Sequence, residues 1–88
     1  MTMVRINVTQ EHIEQGVRGN VYSCAVALAA QEVLGRDIVM IADIALRRGA
    51  VWSKFAVLPE MVRAWIVEFD DGRSMAPITF ELDIPESW

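Results

Sequence analysis

The chain offers little on which catalysis could be built. Cysteine occurs once, at Cys24, and histidine once, at His12. A single cysteine cannot close an internal disulfide, and it fits a reducing, cytoplasmic setting. One cysteine and one histidine do not supply the three or four ligands of a zinc site. Asp70 and Asp71 alone make a poor oxygen site. No metal and no other cofactor is expected. Long apolar runs are absent too: the longest, Cys24 to Ala30, is far too short to span a bilayer. The stretch "MTMVRINVTQ" has no basic segment followed by an apolar one, so no signal peptide is expected. Gly16, Gly19 and Gly35 form neither a dinucleotide-binding fingerprint nor a phosphate loop. Positive charge is scarce. Eight Lys and Arg stand against twelve Asp and Glu, a net charge of -4. With no basic stripe to meet phosphates, nucleic-acid binding is disfavoured.

What is present is apolar. Of the 88 residues, 53% are hydrophobic, with three tryptophans and three phenylalanines among them. Residues 1–88 make one small domain. So apolar a composition in so short a chain implies a dense core, apolar surface kept for a partner, or both; a homodimer is one form of the second. The acids are unevenly placed. Glu68, Asp70, Asp71, Glu81, Asp83 and Glu86 face a single base, Arg73, in the last quarter of the sequence. Such a run is ordinarily a solvated face, but it can also meet a basic partner or occupy a surface built for nucleic acid.

Periodicity gives the elements. Val4, Ile6 and Val8 alternate with Arg5, Asn7 and Thr9, as in a half-buried strand. Thr9 fits an N-cap, Glu11 the first turn of a short helix and Gly16 its stop. Gly19 and Asn20 read as turn residues. Ser23 then caps a second helix, Cys24 to Leu34, ended by Gly35; it is apolar nearly all round, which is the mark of a buried helix. "DIVMIADIAL" reads as a strand with a break at Asp43, Arg47 to Gly49 as a hairpin turn, and "AVWSKFAV" as the partner strand. "LPEMVRAWIVEFDDG" is a helix with Pro59 at its first position and Met61, Val62, Trp65, Ile66 and Phe69 on one face. Glu68, Asp70 and Asp71 crowd its C-terminal end, where the helix dipole disfavours them. In "APITFELDIP" Ile78, Phe80, Leu82 and Ile84 face inward, and Pro85 ends the strand.

The order β-α-β-β-α-β predicts an α+β fold: a four-stranded, mainly antiparallel sheet of ferredoxin-like type with both longer helices on one face. A meander with another strand order is the alternative.

The stretches "INVTQEHIEQGVRG", "SCAVALA", "LPEMVRAWIVEFDDG" and "APITFELDIP" together resemble a group of small proteins encoded by bacteriophages and prophages, largely of actinobacteria. The group's pattern is V-T-x-x-H-I-x-x-G, then S-C-P-V-A-L-A, then L-P-x-x-V-x-x-[FW]-I-x-x-F-D-x-G, then P-x-x-F-x-L. The likeness covers nearly all of the chain except its central hairpin. It implies a phage accessory role in the host bacterial cytoplasm and carries no biochemical activity with it. Ala25 departs from the pattern, standing where proline is usual; proline there would stiffen the helix start.

Candidate functional residues follow. Cys24 near a helix start is the one reactive candidate, with His12 as its base. No third group orients His12, and small apolar neighbours favour a packing role for Cys24. Arg47 and Arg48 at a hairpin tip read as a solvated tip rather than a phosphate clamp. Trp52 and Trp88 are candidate surface anchors, since tryptophan is enriched where binding energy concentrates. Glu68, Asp70, Asp71 and Asp83 are the candidate acidic contact set. The reading is a non-enzymatic protein that binds a host protein, acting against a defence or redirecting a host enzyme. The alternatives are a homo-oligomer that holds a small molecule such as a nucleotide signal, and a cysteine-dependent enzyme built on Cys24 and His12.

Overall fold

The computed structural model describes residues 2–42, 44–50 and 55–84. The elements are β1 (Thr2–Val8), α1 (Gln10–Gln15), α2 (Ala25–Leu34), β2 (Ile38–Ile41), β3 (Ala45–Arg48), β4 (Phe55–Val57), α3 (Glu60–Asp70) and β5 (Ile78–Ile84). The fold is α+β. Its strands form two antiparallel sheets rather than the single four-stranded sheet of ferredoxin type: a ribbon of β1 and β5, and a sheet in the order β2-β3-β4.

The difference begins at Ala42. Its φ of 49° lies in the left-handed region, costly for an alanine, and it turns the chain back on itself. Ile41 then pairs with Ala45 and Ile38 with Arg48. What reads as one strand from Asp37 to Leu46 is therefore a hairpin, and it adds a strand. The expected pairing with the next strand is also present, with Ala45 opposite Val57 and Arg47 opposite Phe55. Arg47 and Arg48 accordingly end β3 and are not the tip of a turn.

The ribbon follows the alternation closely. Ile6, Val8, Phe80, Leu82 and Ile84 are buried, with Val4 and Ile78 partly so. Ile6 lies opposite Phe80, and Val4 opposite Leu82. The outward face is polar: Thr79 donates its hydroxyl to Asn7 Oδ1 at 2.9 Å, and Arg5 stands 3.9 Å from Glu81.

One core joins both sheets. Ala25, Val26, Ala27, Ala29 and Ala30 of α2 are buried beside Ile6 of the ribbon and Ile38, Met40 and Leu46 of the second sheet. α3 adds Val62, Trp65, Ile66 and Phe69. Trp65 and Phe69 stack at 5.5 Å, and the indole N–H donates to Ala76 O at 3.0 Å. Met61 turns outward instead, 60% exposed, because it lies in the first turn, off the stripe defined by Val62, Trp65, Ile66 and Phe69. Pro59 is the N-cap of α3, one place before its expected position.

Alpha1 and α2 meet at Gly16. A Cβ on Gly16 would lie 2.7 Å from Ala25 N and 2.8 Å from His12 O, both backbone atoms. The glycine thus permits close contact as well as ending α1.

Candidate functional site

His12 is the one buried polar or charged side chain among the described residues. Thr9 caps α1: its hydroxyl accepts from His12 N–H, and its own N–H donates to His12 Nδ1 at 2.9 Å. This is a capping box with histidine in the place usually held by glutamate or glutamine. With Nδ1 accepting, the proton sits on Nε2, which donates to Glu32 Oε1 at 2.5 Å. The third group absent from the linear reading is therefore Glu32, from α2. It orients the ring, but it leaves His12 no free lone pair for a base.

Cys24 is itself the N-cap of α2, in place of Ser23. Asn20 explains the shift. Its side-chain oxygen accepts from Tyr22 N–H at 2.9 Å and Ser23 N–H at 3.1 Å, drawing Ser23 into the preceding turn. Cys24 Sγ then accepts from Ala27 N–H at 3.4 Å. Burial raises the thiol above its ordinary range, and this outweighs the Ala27 N–H, which favours thiolate. The shift is opposite to the one an activated nucleophile needs.

No hydrogen bond joins Cys24 to His12 among the described residues. They line different hollows. Cys24 borders one of about 110 Å³ with Met40, Ile66 and Asp70, and His12 borders a groove between α1 and α2. Each is explained by capping and packing.

The acidic set is dispersed. Asp70 accepts from Gly19 N–H at 2.8 Å, and so pins the loop before α2 to the end of α3. Glu68 lies 3.6 Å from Arg73. Asp71 is exposed just past α3, and Asp83 is exposed on the outward face of β5. Arg18 answers the crowding of acids at the end of α3. Its guanidinium donates to Phe69 O and lies over the Phe69 ring, 4.4 Å from the centroid. Trp52 and Trp88 lie outside the described residues.

Arg48 is held by both Asp37 carboxylate oxygens at 3.2 Å and by Leu34 O at 3.1 Å. It fastens β3 to the end of α2. No cluster of three or more His, Cys, Asp or Glu that could hold a metal occurs among the described residues. No helix among them is long and apolar enough to cross a membrane.

Two features escaped the linear reading. Tyr22 is 67% exposed although its backbone is fixed on both sides, by Asn20 and by Gln31 Nε2 on Tyr22 O. Apolar side chains also gather around the β3–β4 pair: Ile44, Phe55 and Val57 are 44%, 43% and 58% exposed. Leu58 N–H donates to Ile44 O at 2.8 Å, which brings Ile44 beside the end of β4. The two outward positions of β4, with Ala56 inward, were the available signal for the second feature.

Comparison with models of known families, with curated proteins and with solved structures finds no match to this chain.

Proposed function

We propose that this chain is a non-catalytic binding protein that acts by contact with another protein. The observation that carries the reading is the group Ile44, Phe55 and Val57, three large apolar side chains exposed around one strand, with exposed Met61 in the first turn of the following helix. Apolar groups gathered on the surface of so small a domain favour an interface. The fates of Cys24 and His12 support it from the other side, because capping and packing occupy both. Exposed Glu68, Asp71 and Asp83 give the molecule an acidic exterior suited to a basic-rimmed partner. The likeness of its motifs to phage-encoded proteins directs the search to a bacterial host, where the target would be a host protein, a defence component among them.

The test is affinity capture from host lysate with the tagged wild type, Cys24→Ala and the double variant Val57→Asp, Met61→Asp. Both substituted surface positions are exposed, so the fold is expected to persist, as circular dichroism would check. A stoichiometric protein held by the wild type and by Cys24→Ala, and released by the double variant, is the expected result. Capture of no partner, or capture indifferent to the double variant, overturns the reading.

A further inference from the structure

The groove beside His12 has a volume of about 680 Å³, within the range of small-ligand sites. It adjoins a second hollow of about 340 Å³, and Tyr22 and Arg36 line both. Arg47 borders the second hollow.

The charges along this groove are not equivalent. Glu32 is engaged by His12 Nε2, Glu11 accepts from Gln15 Nε2 at 3.3 Å, and Asp37 is held by Arg48. Only Asp37 is matched by an opposite charge, that of Arg48; Glu11 and Glu32 meet neutral donors. Arg36 is exposed just past the C-terminus of α2, and its side chain enters no ion pair or hydrogen bond among the described residues. The groove is therefore acidic at its α1 end, and the cation at the junction of the two hollows is Arg36. Beside it stands an aromatic ring on a fixed backbone, largely open to solvent. A guanidinium next to an exposed ring suits a ligand that is anionic at one end and planar at the other. The groove beyond Tyr22 presents carboxylate and amide oxygens of Glu11, Gln15 and Glu32, which accept from ring amino groups. Arg36 at the other end favours a phosphate, whose oxygens accept from its planar fork.

We infer that the groove between α1 and α2 binds a nucleoside monophosphate, with its base on Tyr22, its phosphate at Arg36 and its ring amine toward Glu11 and Gln15. The inference is independent of the protein-contact reading, which concerns the β3–β4 surface.

The test is calorimetric titration and thermal shift of the full chain with AMP, GMP, CMP and UMP, with adenosine and inorganic phosphate as half-ligands. Variants are Tyr22→Leu, Tyr22→Phe and Arg36→Gln; both positions are exposed, so loss of fold is not expected. The expected result is that at least one amino-bearing nucleotide binds and raises the melting temperature, more than either half-ligand. Tyr22→Leu and Arg36→Gln each then weaken it about tenfold or more, and Tyr22→Phe retains it. Three results overturn the inference: no nucleotide binds at millimolar concentration, inorganic phosphate does as well as the nucleotides, or binding ignores both Tyr22→Leu and Arg36→Gln.

Discussion

His12 ties three pieces of backbone together through one ring: the entry to α1, α1 itself and the exposed face of α2. Removing it leaves Thr9 N–H and Glu32 without their partner and opens a gap among buried atoms. His12→Ala is expected to cost about 1–3 kcal/mol by urea denaturation. His12→Gln should recover part of this, because glutamine can close the capping box but is less suited to reach Glu32. Equal losses in both variants would contradict the cap. Cys24 gives a second prediction. Its folded-state thiol is raised, so the neutral form is favoured by folding. The corresponding stability is complete below the ordinary thiol range and is lost as pH rises through that range toward the folded value. Alkylation by iodoacetamide should be slow in the native protein and quicken only on unfolding or at strongly alkaline pH. Fast modification near neutral pH would reinstate a reactive cysteine. In the sequence, "SCAVALAA" already spoke for packing. The Glu32 partner was not legible, because it joins two helices whose approach depends on Gly16 and on the turn at Asn20.

At the scale of elements, α3 shows how a local conflict is resolved from elsewhere in the chain. Its last turn carries acids where the dipole disfavours them, and the sequence shows that conflict plainly. The remedy, Arg18, comes from the loop before α2 and binds both the Phe69 carbonyl and the Phe69 ring. Arg18→Ala is expected to lower stability by about 1–2 kcal/mol and to speed amide exchange in the last turn of α3. Arg18→Lys should restore less than half of the loss, since it keeps the charge without the planar fork. The α1–α2 junction gives a further case. Gly16→Ala presses a methyl group against Ala25 and His12 backbone, which cannot move aside as a side chain would. A loss of about 1–3 kcal/mol is expected, and a neutral result by thermal denaturation would place the helices farther apart. Element type was largely readable because α3, β1 and β5 show clean periodicity. The β2–β3 hairpin was only half legible: a break was expected at Asp43, which lies outside the described residues, but nothing in the β-branched run told a break within one strand from the reversal that Ala42 makes.

For the whole molecule, the important link is that α2 and α3 give the two sheets a single core. Leu82 lies in the ribbon and Leu46 in the other sheet, yet both are fully buried in that core. Leu82→Ala is expected to cost about 2–5 kcal/mol and to lower the protection of Leu46 and Leu82 amides together in native-state hydrogen exchange. Independent loss in β5 alone would mean that the ribbon opens as a separate unit. The sequence implied the α+β class and the inward faces. It did not reveal how the sheets divide, since hydrophobic alternation states which side of a strand is buried and not which strand lies beside it. The antiparallel pairing of β1 with β5 has a consequence for synthesis. β1 is the first described element to leave the ribosome and β5 the last, so Ile6 and Val8 wait roughly several seconds, at about 5–20 residues per second, before their partners exist. Through that interval the nascent chain carries an unpaired apolar strand within reach of chaperones and of neighbouring chains, and its yield in the cell will follow translation speed and crowding at the polysome as much as the stability of the finished fold.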